Sequence, residues 1–183
     1  MAMNFKKISS IISLTTIVSG LIIPISEVNA KIYLTPSQAQ VALYQDSKME
    51  KVNLFLTKDQ MKLITKLTKT RVRNSKMNLW KTENGDWFII DNVIGKHENI
   101  DIAVAISKKG KINGVEVLAY RETYGGQVMN PKWLAQFIGK DSSQILKLDD
   151  HIKNISGATL SCRNITDGVN RLLHSWDQVI KYL

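Results

Sequence analysis

Residues 155–161, with the sequence Ile-Ser-Gly-Ala-Thr-Leu-Ser, join a small-residue turn to the start of a helix. The glycine can adopt a positive φ, the alanine is too small to block access, and the first amides of a helix have no partners within it. A turn that presents amides together with a hydroxyl group is suited to an anion of the size of phosphate. The chemistry predicted here is therefore the binding of a phosphate group.

The same residues have a simpler interpretation, because serine and threonine cap the N-termini of many helices. On spacing alone, Ser156, Thr159 or Ser161 could have that role. In that case the turn would bind nothing, and the chain would be a binding module without a cofactor.

The tetrapeptide at 156–159, Ser-Gly-Ala-Thr, resembles the flavinylation motif of the FMN-binding domain family. That family includes the peripheral flavin subunits of Rnf-type and sodium-pumping electron-transfer complexes. Its last threonine carries FMN through a phosphoester bond, which a dedicated flavin transferase makes from FAD. The resemblance implies covalent FMN on Thr159. The cofactor-binding residues that it implies in the turn are Ser156, Gly157, Ala158, Thr159, Leu160 and Ser161.

The chain departs from the family motif at one place. An acidic residue usually stands three positions before the serine, and this chain has Lys153 there, with Asp149 and Asp150 just upstream. The departure concerns recognition by the transferase. A lysine beside the turn favours a bound phosphate.

A second informative stretch ends a predicted strand in Glu-Thr and continues through Tyr to two glycines. Glycines let the backbone approach a flat ligand closely, although the pattern is also typical of a plain turn. The stretch resembles the family loop that contacts the isoalloxazine ring. The resemblance implies that Glu122 and Thr123 contact the polar edge or ribityl chain, that Gly125 and Gly126 make room, and that Tyr124 stacks on the ring.

The elements that must position these residues begin with strands. Residues 78–82 and 87–90 flank Asn84-Gly85, which is a hairpin signal, and two further strands are predicted at 100–106 and 115–121. Four strands in series predict an antiparallel sheet. The predicted fold class is therefore α+β, with an antiparallel sheet of at least four strands, packed helices and a long C-terminal amphipathic helix.

Helices are predicted on both sides of these strands. One begins near Pro36 and runs towards Met49, and another begins at Thr57, which forms a capping-box pattern with Gln60. A short helix at 130–140 resembles the family helix before the flavinylation turn. The apolar residues that predict the C-terminal helix, at spacings of three and four, are Ile165, Val169, Leu172, Leu173, Trp176, Val179, Ile180 and Leu183.

The N-terminus is typical of a secretory signal peptide. A positive start precedes a mostly apolar run at 11–25, and small residues end at Ala30, where cleavage is expected. The alternative is an uncleaved anchor, but the run contains Pro24 and is shorter than the roughly 20 residues that a membrane span needs. The mature protein is expected to be periplasmic or otherwise extracytoplasmic. The predicted organisation is a signal peptide at 1–30, an N-terminal helical segment at 31–73 and an FMN-binding domain at 74–183.

The chain carries a formal net charge of +9 at pH 7. A basic surface suits nucleic acid, an anionic membrane face or an acidic protein. Export argues against nucleic acid, so an acidic docking partner or the membrane surface is expected.

The resemblance implies an exported flavoprotein electron carrier, which relays electrons between a membrane donor and an extracytoplasmic acceptor, and not an enzyme with its own substrate. The alternative is a non-covalent FMN-dependent reductase, for which Glu122, His97 and Asp101 are the candidate acids. The single cysteine, Cys162, rules out an internal disulfide and is expected to pack in the core.

Overall fold

The computed structural model describes residues 31–183 and has an α+β fold, as the sequence predicts. The signal peptide predicted at 1–30 lies outside the described residues. The strands are β1 (Lys31–Ile32), β2 (Met49–Phe55), β3 (Lys76–Thr82), β4 (Trp87–Ile94), β5 (Asn99–Ile106) and β6 (Ile112–Tyr120). The α-helices are α1 (Pro36–Tyr44), α2 (Lys58–Thr68), α3 (Pro131–Leu134) and α4 (Thr159–Gln178), and 3₁₀ turns occur at Gly126–Met129, Ala135–Phe137 and Ile180–Tyr182.

The strands form one sheet within the described residues, in the order β1-β6-β5-β4-β3-β2, and all neighbouring strands are antiparallel. The four strands predicted from the sequence are β3 to β6. The hairpin predicted at Asn84-Gly85 joins β3 to β4, and Gly85 there has φ +84°. The prediction of an antiparallel sheet of at least four strands is confirmed.

The N-terminal segment at 31–73 is not purely helical, and this part of the prediction is wrong. Helix α1 ends at Tyr44, and Met49 is the first residue of β2. Strand β2 pairs along its whole length with β3, and its inward residues Val52 and Leu54 pack against the main core. The predicted boundary near residue 73 therefore does not separate two cores.

The two faces of the sheet are covered by different helices. On one face, Ala39 of α1 packs with Phe88, Ala103 and Leu118. On the other face, α4 packs across β4 and β5 and forms the larger core. Because side chains alternate along a strand, each central strand contributes to both cores.

Helix α4 has the buried face that the apolar spacing predicts. Seven of the eight predicted residues, from Ile165 to Ile180, are buried. The helix ends at Gln178, because Val179 has φ −137°. Beyond this end Val179 and Ile180 are still buried, but Leu183 is exposed. Within residues 31–183, no helix has both the length and the apolar character of a membrane span.

The packing of α2 against α4 gives a test of the shared core. Ile64 is fully buried beside Leu56 and Val179, whereas its neighbour Leu63 is 42% exposed. We expect Ile64→Ala to lower the free energy of unfolding by about 2–5 kcal/mol, as for other buried large-to-small changes. The matched control Leu63→Ala should change it little. Urea denaturation measures both, and equal effects of the two changes would contradict this packing.

Candidate functional site

The turn before α4 exposes the start of that helix. The amide of Ala158 donates to the carbonyl oxygen of Ile155 at 2.9 Å, and Gly157 has φ +82°. Ala158 is the N-cap residue of α4, and among the described residues no side chain caps the helix and no acidic residue lies in its first turn. The amides that have no partner within α4 therefore remain available to an anion outside it.

The two helices near the N-terminus begin differently. Both have complete capping boxes, made by Thr35 with Gln38 in α1 and, as predicted, by Thr57 with Gln60 in α2. A capping side chain stabilises a helix by about 1 kcal/mol relative to alanine. The 20-residue helix α4 begins at an alanine instead. Its first-turn amides are thus left for a group that is not part of the helix.

The serine and threonine hydroxyl groups near the turn do not cap α4. Thr159 Oγ1 accepts a hydrogen bond from Asn154 Nδ2 at 3.0 Å, and Ser161 Oγ lies 2.8 Å from Tyr120 Oη. Ser156 is exposed, and its side chain is not a cap of α4 in the described part of the chain. The alternative that one of these residues merely caps the helix is therefore wrong.

The glycine loop that follows β6 lies against the first turn of α4. The hydroxyl group of Tyr120, the last residue of β6, bonds to the carbonyl oxygen of Tyr124 and to Ser161 Oγ. Gly125 has φ +90°, and a Cβ atom placed there would lie 2.7 Å from both Ser161 Oγ and Tyr120 Oη. Only glycine permits this approach of loop to helix.

Glu122 holds the loop between β4 and β5. Its Oε1 accepts the amides of His97 at 2.6 Å and Glu98 at 3.0 Å. Partial burial opposes ionisation, but the amides of Glu98, His97 and Lys96 outweigh it and lower the pKa of the Glu122 carboxyl. One oxygen of this predicted ligand-contacting residue is therefore engaged by the protein, and the side chain remains ionised at neutral pH.

These segments surround a cleft of about 320 Å³, which is within the roughly 300–1,000 Å³ of small-molecule pockets. Eight of the eleven predicted cofactor-binding residues line the cleft. The β4–β5 loop adds Lys96 and His97 to the lining. His97 is a candidate acid in the sequence analysis, whereas Lys96 was not predicted as a site residue. The lining residues are Lys96, His97, Glu122, Thr123, Tyr124, Gly125, Gly157, Ala158, Leu160 and Ser161.

Three predicted residues lie at the margin. Thr159 and Ser156 are exposed and do not line the cleft, and Gly126 packs beside Met129. The side chain of Thr159 borders a second groove, which is also lined by Lys69 and by Arg163 among others. Asp149 and Asp167 also line this groove, so its charge is mixed, and Thr159 stands between it and the cleft.

Two other candidates are engaged elsewhere. Asp101 forms an ion pair with Arg121, at 2.7 Å, and also accepts a bond from Asn92. Cys162 is fully buried, and burial raises the pKa of its thiol, so it packs in the core as expected. No cluster of potential metal ligands occurs in the region that the structure describes.

A smaller cleft of about 180 Å³ contains Arg171. Its guanidinium group bonds to the Asp91 carboxylate and to the carbonyl oxygens of Arg71 and Asn92. The charge is already neutralised by the protein, and the group ties α4 to β4 and to the N-terminal segment.

The fold and the cleft together define an α+β domain in which a glycine loop and an uncapped helix start face the same cavity. Residues 95–174 match the FMN-binding domain family. The matched region contains all the residues that line the cleft.

The chain is also similar to a solved structure, the crystal structure of Shewanella oneidensis NqrC. The two are 19% identical over 81% of this chain and 74% of that chain, with a TM-score of 0.46. No curated protein matches the sequence.

The residues of the site fit FMN. The uncapped start of α4 suits a phosphate group. The cleft beside it has an apolar wall from Ala158 and Leu160, and the exposed ring of Tyr124 stands at its edge. Lys96 adds a positive charge that suits an anionic ligand.

Substitution of Gly125 tests how closely the loop approaches α4. Gly125→Ala should strain the backbone at φ +90° and also drive Cβ into Ser161 and Tyr120. Gly139→Ala is the matched control, since Gly139 has φ +79° with nothing within 4 Å of its Cβ position. The backbone penalty, about 1–3 kcal/mol, is common to both changes. We expect a clearly larger loss of unfolding free energy for Gly125→Ala, and equal losses would contradict the close approach.

The carboxylate of Glu122 makes a pH-dependent contribution to stability. Its folded-state pKa is lowered, so the contribution is complete above the ordinary carboxyl pKa and is lost as the pH falls through the lowered value. Glu122→Gln keeps an acceptor oxygen but removes the charge. The difference in unfolding free energy between the two proteins should therefore be constant near neutral pH and shrink in acid. Urea unfolding over a pH series measures it, and a difference that does not vary with pH would contradict the prediction.

Proposed function

We propose that this protein is an exported flavoprotein electron carrier, with FMN attached through a phosphoester to Thr159. The observation that carries the proposal is the uncapped start of α4, where Thr159 is the first helical residue and is exposed beside the cleft. An attachment residue needs to reach both a transferase and the phosphate-binding amides. An exposed hydroxyl at the first position of the helix meets both requirements.

The backbone before the turn is anchored despite the lysine at the position where the family motif is usually acidic. The amide of Lys153 donates to Gln136 Oε1 at 2.8 Å, and its carbonyl oxygen accepts from Trp133 Nε1 at 2.7 Å. The Lys153 residue itself is exposed. These bonds hold the backbone before the turn whatever side chain stands at 153, so the departure does not disturb the geometry of the turn.

The residues of the cleft have distinct tasks in this proposal. The first-turn amides of α4 bind the phosphate, and Lys96 adds positive charge. Thr123, Tyr124 and Gly125 contact the ring or ribityl chain, while Glu122 orders the loop that carries Lys96. When bound, FMN supplies transfer of one or two electrons, and the protein fixes its ring and tunes its potential.

Carriage of electrons is better supported than a reductase with its own general acid. Asp101 is paired with Arg121, and Glu122 is kept ionised by backbone amides. Glu122 is therefore not suited to deliver a proton at neutral pH, and the carboxylate of Asp101 is engaged by the Arg121 guanidinium group. His97 is the one candidate acid of the three that lines the cleft without such an engagement in the described structure.

Export and partners belong to the proposal as well. The sequence at 1–30 supports secretion, and a covalent link would retain FMN in a compartment with no pool to replace it. The partners would be a flavin transferase, a membrane donor and an extracytoplasmic acceptor. The formal net charge of +9, which falls by only one when residues 1–30 are removed, favours an acidic docking surface on one of them.

Intact mass spectrometry of the protein after co-expression with a flavin transferase tests the attachment. We expect a mass gain of one FMN less one water, absent in Thr159→Ala. Ser156→Ala is the matched control, because it removes the neighbouring exposed hydroxyl and leaves Thr159 in place. It should still gain the mass.

Loss of the mass gain in Ser156→Ala but not in Thr159→Ala would move the attachment to the serine. A wild-type chain without flavin, by mass and by absorbance, would contradict the proposed function.

A further inference from the structure

Tyr120 and Ser161 form a chain of hydrogen bonds with a defined direction. The hydroxyl group of Tyr120 bonds to the carbonyl oxygen of Tyr124 and lies 2.8 Å from Ser161 Oγ. A tyrosine hydroxyl has one hydrogen, and a carbonyl oxygen can only accept. The hydrogen of Tyr120 therefore goes to Tyr124, and Ser161 must donate its own hydrogen to Tyr120.

This chain is shielded from water. The side chains of Tyr120 and Ser161 belong to residues that are 4% and 6% exposed, and Gly125 is also buried against both hydroxyl groups. Burial is the main cause that raises the pKa of Tyr120, so its hydroxyl stays protonated and remains a donor. A bond of this kind is not weakened by competition with solvent.

The chain joins the two walls of the cleft. One wall is the glycine loop after β6, and the other is the first turn of α4, which is about forty residues further along the sequence. Their relative position decides the distance between the site of a ring and the site of a phosphate. Tyr120 is the last residue of a strand, and Ser161 lies in the first turn of a helix. Because both residues belong to regular secondary structure, the hydrogen bond joins two rigid elements.

We propose that Tyr120 and Ser161 are positioning residues, a latch that fixes the loop at 124–126 on the start of α4. The latch thereby fixes a flavin ring relative to its phosphate. The part of this inference that concerns flavin rests on the proposed function. The sequence resemblance implied that Ser161 contacts the cofactor; Ser161 lines the cleft, and the hydrogen of its hydroxyl group goes to Tyr120.

The latch can be tested without flavin, by limited proteolysis. Its acceptor is the carbonyl of Tyr124, which is also the scissile carbonyl for chymotrypsin at the Tyr124–Gly125 bond, and the Tyr124 side chain is 83% exposed. Cleavage requires this carbonyl to leave Tyr120. In the flavin-free protein, Tyr120→Phe should raise the rate of cleavage after Tyr124 roughly fivefold, as expected for loss of one partly buried hydrogen bond. Ser161→Ala should raise it less, since the Tyr120–Tyr124 bond remains.

Tyr44→Phe is the matched control. The Tyr44 hydroxyl also donates to a backbone carbonyl, that of Trp87 at 3.0 Å, and burial likewise raises its pKa, but Tyr44 packs in the core on the opposite face of the sheet. This variant loses a similar bond far from the cleft. It should leave cleavage after Tyr124 at the wild-type rate, and equal rates for Tyr44→Phe and Tyr120→Phe would overturn the latch.

The second measurement uses the flavinylated protein. Tyr120→Phe should retain the full FMN mass, but the visible circular dichroism of its flavin should weaken and the midpoint potential should shift, because the ring is no longer held in one geometry. Tyr44→Phe should match the wild type in both. Retained mass with unchanged dichroism and potential in Tyr120→Phe would overturn the positioning role. A wild-type chain that gains no FMN contradicts the proposed function instead, and the role towards flavin fails with it, while the proteolysis result still decides whether the latch holds the loop.

Discussion

Burial of the apolar face of α4 against the sheet fixes the position of the first turn of that helix. Ile165, Val169 and Leu173 are fully buried, and burial of each side chain of this size contributes about 1.5–3 kcal/mol. A slide or rotation of α4 would expose several of them together. The start of the helix is therefore held beside the end of β6 by packing, and the cleft is a consequence of that placement.

The same packing explains why α4 can begin without a cap. A missing cap costs about 1 kcal/mol, which is small beside the burial along a helix of 20 residues. Most helices in proteins owe their stability to tertiary packing of an apolar face. The smaller helix α2, in which only Ile64 and Thr68 are buried, has its capping box. The chain thus leaves amides open where the helix is already secure.

The structural features that could be predicted from the sequence are those that a short local pattern of residues determines. The hairpin at Gly85 depends on an Asn-Gly pair, and the start of α2 depends on Thr57 three residues before a glutamine, so both were predictable. Strand β2 was missed because its alternation is short, with only Val52 and Leu54 packed on the main core, and its stability comes from pairing with β3. The engagement of Glu122 with backbone amides was missed for the same reason, since those amides lie on another loop. The loop that these amides belong to also carries Lys96, which lines the cleft.

The surroundings of Thr159 extend beyond the region that matches the family. The groove beside Thr159 is lined by Thr68 and Lys69, at the C-terminal end of α2, and by Arg163 of α4. Helix α2 is held there by its packing on α4, and it lies outside the matched residues 95–174. A partner that reaches the exposed hydroxyl of Thr159 from this side must meet α2 as well. The N-terminal segment therefore shapes one approach to the hydroxyl group of Thr159, although α2 itself lies outside the residues that match the FMN-binding domain family.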